Sequence, residues 1–127
     1  MTAMKLQKLV YYCQAWHLVW DEEPLFPERI EAWANGPVVH ALYDKHRGSF
    51  TVSSWKRWGD SSNLTESELE TVKIVLDRYG KMSAAALSEL THSEPPWHDA
   101  RRGLGPGQRG DQVIPISAIC EYYESLL

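Results

Sequence analysis

From residue 4 to residue 20 the apolar side chains Leu6, Leu9, Val10, Cys13, Trp16 and Trp20 recur at steps of three and four. That spacing lines one face of a helix and does not fit the alternation of a strand. His17 lies beside the stripe, outside the apolar set. Asp21, Glu22, Glu23 and Pro24 then end the helix. Carboxylates are unfavourable at a helix C-terminus, and proline cannot continue the hydrogen-bond ladder.

More helices are expected downstream. Asn35-Gly36-Pro37 predicts a turn running into a helix, because Gly36 tolerates unusual dihedrals and Pro37 suits a first turn. Val38, Val39, Leu42, Tyr43 and His46 share one face of that helix, and Gly48 stops it. Thr65 and Glu68 have the spacing of a capping box. The helix they open should bury Leu69, Val72, Val75, Leu76 and Tyr79 and end at Gly80. Ser83 caps a helix over residues 83–90, and Ser117 a last one carrying Ile119, Cys120, Tyr123 and Leu127. Residues 29–34 read as a short strand, and residues 113–116 as a second one at an edge because of Pro115. Residues 49–63 and most of 91–110 show no period and read as irregular. The expected fold is mainly α (α+β), a compact helical domain with one small two-stranded β element.

Composition narrows the function. The 127 residues suit one domain over 1–127. Six Trp and six Tyr imply a core rich in aromatics that need partners for their N–H and O–H groups. Thirteen basic against 17 acidic residues, with no basic stripe, argue against a nucleic-acid partner. Cys13 and Cys120 form no C-x-x-C and suit a reducing cytoplasm. No signal-like segment or membrane-length apolar run appears, so a soluble cytoplasmic domain without a membrane partner is expected.

Few residues suggest chemistry. Gly105-Pro-Gly107-Gln-Arg-Gly110 fits G-x-G-x-x-G by letters, but an irregular stretch precedes it and no helix opens within it. It reads as a surface loop, made locally basic by Arg101, Arg102 and Arg109, with solvated charge favoured over an acidic partner. Cys13 and His17, four residues apart, share a helix side, and His92 and His98 would complete a zinc set. Cys13 sits on the apolar stripe and no ligand spacing supports the cluster, so neither metal nor cofactor is expected. A hydrolase or nuclease using His92, His98 and Asp99, metal-dependent or not, is the competing reading. Trp16, Trp20, Trp33 and Trp97 are assigned to the core. Trp55 and Trp58 stand in a polar stretch, either folded back on the domain or available to a partner. The segment LTHSEPPW reads as a rigid corner, with Pro95 and Pro96 fixing the approach of Trp97.

The blocks KLQKLVYYCQAWH, IEAWANGPVVHALY and LSELTHSEPPW, in this order, resemble the Panacea or SocA-like antitoxin family. The resemblance implies a protein-binding module without catalysis that neutralises a cognate toxin by direct contact. Some members are thought to hand the toxin to a ClpXP-type protease. On this reading Trp55, Trp58, His92, Trp97, Arg101 and Arg102 are candidate partner-binding residues. The chain departs from the family at its start, where a short helix commonly precedes the segment matching MKLQKL. An exposed apolar strip along Leu6 and Val10 is therefore expected, and with it either self-association, most simply as a C2 homodimer, or a marked gain in stability when the partner binds. Within these 127 residues the extra DNA-binding domain of some relatives is not expected, nor autoregulation by this chain.

Overall fold

A computed structural model describes residues 1–48, 64–105 and 107–127. Six helices and one antiparallel hairpin are found among them, so the fold is mainly α with a small β element. The helices are α1 (Ala3–Asp21), α2 (His40–His46), α3 (Glu66–Tyr79), α4 (Ala84–Ser93), α5 (Pro95–Ala100) and α6 (Ile116–Glu124). The strands are β1 (Ile30–Trp33) and β2 (Gly36–Val39).

The Thr2 hydroxyl opens α1 by accepting from Lys5 N at 3.1 Å, and Glu22 closes it in a left-handed conformation. This helix is not the one-sided surface helix that the stripe suggested. Tyr11, Tyr12, Ala15 and Leu18 are as buried as Leu6, Leu9, Cys13 and Trp16, and so are Gln7, Lys8, Gln14 and His17. A helix covered on every side lies at the centre of its domain. Here α2, α3, α4, α6 and β2 supply the cover.

Two expectations about this helix are corrected. Trp20 stacks on Trp16 at 5.4 Å but is exposed, because it falls in the last turn beyond the surrounding elements. Leu6 is only 2 % exposed, packed with Ala3, Val10 and Leu42. The apolar strip expected along Leu6 and Val10 is thus covered by α2 through Leu42, and it offers no bare face for a second copy.

The partner of β1 is β2 and not residues 113–116. Ile30 pairs with Val39, Glu31 with Val38, Ala32 with Pro37 and Trp33 with Gly36. Ala34-Asn35 is therefore a two-residue hairpin loop, and the residues read as the start of a helix are extended. Pro37 is tolerated in a strand because it lies opposite Ala32. The Ala32 N–H points the other way and donates to Gln112 O at 2.7 Å, so the missing N–H of Pro37 leaves no gap in the ladder. Val113 still joins the sheet, as a single bridge to Glu31 on the far side of β1.

Elsewhere the local signals hold with shifted faces. Thr65 and Glu68 form the capping box, with bonds of 2.8 and 3.2 Å. On α3, Thr71 and Val75 are buried and Val72 and Tyr79 half-buried, whereas Leu69 and Leu76 are exposed. The register is set by polar contacts to α1: His17 Nδ1 lies 3.0 Å from Thr71 Oγ1, and Trp16 Nε1 donates to Tyr79 Oη at 2.9 Å. Residues 91–100, read as irregular, are helical: α4 runs on to Ser93, and α5 follows after Glu94. Pro115, not Ser117, stands at the start of α6, and Leu127 lies exposed beyond its end.

Candidate functional site

The three sequence blocks meet at the tip of the hairpin. Ser83 caps α4 by accepting from Ala86 N at 3.1 Å. One turn along α4, the Ser88 hydroxyl donates to Asn35 O at 2.6 Å. The α4 helix stops at Glu94, which is extended as the residue before a proline must be. Pro95 and Pro96 occupy the first turn of α5, where no N–H is needed. This abrupt restart carries Trp97 to the hairpin, where its Nε1 donates to Trp33 O at 2.8 Å. Arg101 Nη1 donates to Ala32 O at 3.0 Å, so three successive parts of α4, α5 and the following turn hold β1 and its loop.

Beneath the tip lies a lysine with no exposed surface. Lys8 Nζ reaches Pro37 O at 3.5 Å, and burial pulls its pKa down to about 8. Gly36, at φ +129°, presses against this side chain: a Cβ there would sit 2.4 Å from Lys8 Cε. The glycine is required by its dihedral, and a side chain there would also have to push the end of Lys8 aside.

Around Trp97 the aromatic contacts are tight. The His92 ring stacks on it at 4.0 Å with 6° between planes, and the Arg101 guanidinium lies 5.2 Å from its centroid. Burial lowers the pKa of His92, and the Lys8 and Arg101 charges act in the same direction. Glu94, behind this corner, accepts from Tyr12 Oη at 2.6 Å and Tyr123 Oη at 2.8 Å, while the Tyr11 hydroxyl lies 3.0 Å from that of Tyr123. Burial pushes the Glu94 carboxyl up, against the two tyrosine hydrogen bonds. The cluster ties α1, the α4–α5 corner and α6 together.

A second buried carboxylate organises the outer face of the hairpin. Arg29, Glu31 and Trp33 alternate onto that face, and Glu31 accepts from Arg29 Nε at 2.7 Å and Trp33 Nε1 at 2.8 Å. His40 Nδ1 stands 3.1 Å from it. Burial raises its pKa, but the bonds from Trp33, Arg29 and His40 together outweigh that and leave it below the usual carboxylate range. Beside this face runs a groove of about 500 Å³ lined by Met4, Trp33, Val38, Tyr43, Arg109 and Asp111 among others.

The sequence candidates are placed unequally. Trp55 and Trp58 lie outside the described residues. Trp97 and Arg101 are buried and His92 is half-buried, whereas Arg102 is exposed, 3.9 Å from Asp99. Arg101 is therefore not solvated charge. Its guanidinium holds the carbonyls of Gly105 and Gln108, winding the glycine-rich loop around itself. Cys13 is a core thiol whose pKa burial pushes up to about 12, and His17 bonds Thr71. His98 faces Asp99 at 3.4 Å in solvent, while His92 turns toward Ser88 and Trp97. Among the described residues no three His, Cys, Asp or Glu side chains converge as a metal site. Nor is any helix among them long and apolar enough to cross a membrane.

Lys8, Gln7, Glu31 and Glu94 did not stand out in the sequence. A signal existed for the first two: apolar residues occur on every side of α1, so polar ones among them had to be buried.

Neither a curated protein nor a solved structure matches this chain. The family described as antitoxin SocA-like, Panacea domain, matches residues 6–98, about three quarters of the chain and all of the elements that meet at the hairpin tip up to His98. The chain belongs to the SocA-like, Panacea-domain antitoxin family.

Proposed function

We propose that this chain acts in the cytoplasm, binds a toxin protein directly, neutralises it by that contact and catalyses nothing itself. The observation that carries this reading is the family match over residues 6–98. The architecture supports it. Lys8, Glu31, Glu94 and Arg101, the buried charges nearest the hairpin, are spent on this chain's own carbonyls, hydroxyls and rings. Such a network makes a rigid frame, and a rigid frame lets a binding surface engage with little ordering cost.

Of the sequence candidates, Arg102 and the open edge of His92 present surface at the corner, with Trp97 and Arg101 fixing them from beneath. Trp55 and Trp58 remain candidates for the same contact. Delivery of the toxin to a ClpXP-type protease would be an extension of this binding.

Co-expression with the product of the neighbouring gene is the test. Relief of that product's toxicity is expected, together with a complex that survives gel filtration. If the product is harmless alone, or stays toxic in the presence of this chain, the reading is refuted. A toxin half-life that shortens only when the protease is present would identify the adaptor mode, and an unchanged one simple occlusion. Loss of protection in His92→Ala, with folding and toxin binding intact, would instead favour chemistry at His92.

A further inference from the structure

The small sheet has two edges, and the chain treats them differently. Along β2, the Gln7 side-chain amide pairs with Val39 as a neighbouring strand would: Oε1 accepts the Val39 N–H at 2.8 Å, and Nε2 donates to the carbonyl at 3.3 Å. Lys8 reaches Pro37 O on the same edge. That edge is sealed by α1.

The other edge is residues 112–114. Gln112 O accepts from Ala32 N, and Ile114 N donates to Ile30 O at 2.8 Å, so the groups of both neighbours point inward to β1. Consecutive residues of a strand send their N–H and C=O to opposite sides. The Val113 N–H and C=O therefore point outward, and among the described residues neither has a partner. The Val113 side chain is 52 % exposed, and no helix among the described residues is laid over it. Natural sheets cover or blunt such an edge unless it is used. In the register of the Glu31–Val113 bridge, Asp111 falls opposite Trp33, which brings the edge to the mouth of the groove lined by Met4, Trp33, Val38 and Tyr43.

We propose that an extended segment of the toxin adds to this bare edge as a further strand, pairing its backbone with Val113 and placing an apolar side chain in the adjoining groove. The occupant follows from the chemistry offered: an outward N–H and C=O at strand spacing accept another extended backbone, and the groove beside them accepts an apolar side chain. The proposal rests on the reading that this chain binds a toxin, and it names where and in what conformation.

Val113→Pro is the discriminating variant, because it deletes an N–H that the fold does not use and keeps the bonds of Gln112 and Ile114. With the neighbouring gene's product as probe, Val113→Pro should weaken binding about tenfold or more, with unchanged melting. Val113→Thr, which keeps the backbone groups, should stay within about threefold. In the unaltered protein the Val113 amide should exchange with solvent at least about tenfold more slowly once the complex forms. That measurement decides alone if the proline variant fails to fold. Wild-type affinity in Val113→Pro with an unprotected amide overturns the edge and leaves the antitoxin reading standing. Failure of the unaltered chain to bind the product overturns both. A homodimer dissolved by Val113→Pro would assign the edge to a second copy and overturn the proposed occupant.

Discussion

Replacing Lys8 by methionine should make the protein more stable, not less. The ammonium has no exposed surface, and its acceptor, Pro37 O, is 3.5 Å away, the far limit of a hydrogen bond. Burial brings its pKa from 10.5 to about 8. At about 1.4 kcal/mol per pH unit, keeping the charge inside at neutral pH costs about 3 kcal/mol. Methionine has nearly the same length and can fill the space against Gly36. Allowing for the lost contact to Pro37, Lys8→Met should gain about 1–3 kcal/mol, or about 4–10 °C in Tm. The gain has a pH signature. Between about pH 8 and 10.5 the unfolded chain holds a proton that the folded one has released, so the native protein gains stability as pH rises there. The advantage of the variant is full below pH 8 and should close by about pH 10.5. Urea unfolding of both proteins near pH 7 and near pH 10 reads this directly, because titrations common to both cancel in the difference. A variant less stable at pH 7, or a difference that ignores pH, would refute the argument that the buried charge is costly.

Trp97→Ala empties the corner against the hairpin and removes the indole bond to the Trp33 carbonyl. It should cost about 3–5 kcal/mol in denaturant unfolding. Glu94→Ala leaves the Tyr12 and Tyr123 hydroxyls buried without their acceptor and should cost about 2–4 kcal/mol, with a blurred near-ultraviolet circular dichroism signal from the tyrosine cluster. Burial lowers the pKa of both His46 and His92, so below their ordinary value of 6.5 the unfolded chain binds more protons and stability falls. His46 Nε2 lies 2.9 Å from the Gln7 amide nitrogen, which must donate to it because Gln7 Oε1 is taken by Val39 N–H. In a stability–pH curve between about pH 7 and 5, His46→Asn should therefore lose part of the slope, whereas an unchanged slope would remove His46 from the account.

Local chemistry was legible in the sequence, and sidedness was not. The capping box at Thr65, the cap at Ser83 and the stop before Pro24 act through neighbours a few residues away, so spacing alone is enough to mark them. The hairpin shows the opposite case. Asn35-Gly36-Pro37 is compatible with a helix start and with a tight β-turn, and what decides is Gln7 and Lys8, nearly 30 residues upstream, closing on β2. Leu69 and Leu76 are apolar and periodic, yet the face of α3 is chosen by His17 and Trp16 on another helix. The segment around Glu94 was read as a corner that presents Trp97, and a corner is what α4 and α5 form there. Its second helix was missed because two prolines look like a break when they are in fact a first turn. As for the site, Trp97 and His92 were visible as candidates, but the role of Arg101 required knowing which carbonyls lay within its reach.

The central position of α1 also bears on how the protein is made. This helix is made before the elements that cover it, and α6, which closes its flank through Tyr123 against Tyr11 and Trp16, begins about 95 residues after α1 ends. At ~5–20 residues per second, α1 waits on the order of 5–20 s for its last cover. Until then the nascent chain shows apolar and tyrosine surface of the kind that holding chaperones engage, and the frame under the hairpin is incomplete. A stop codon within α6 would thus not trim a loose end; it would leave the middle of the molecule open.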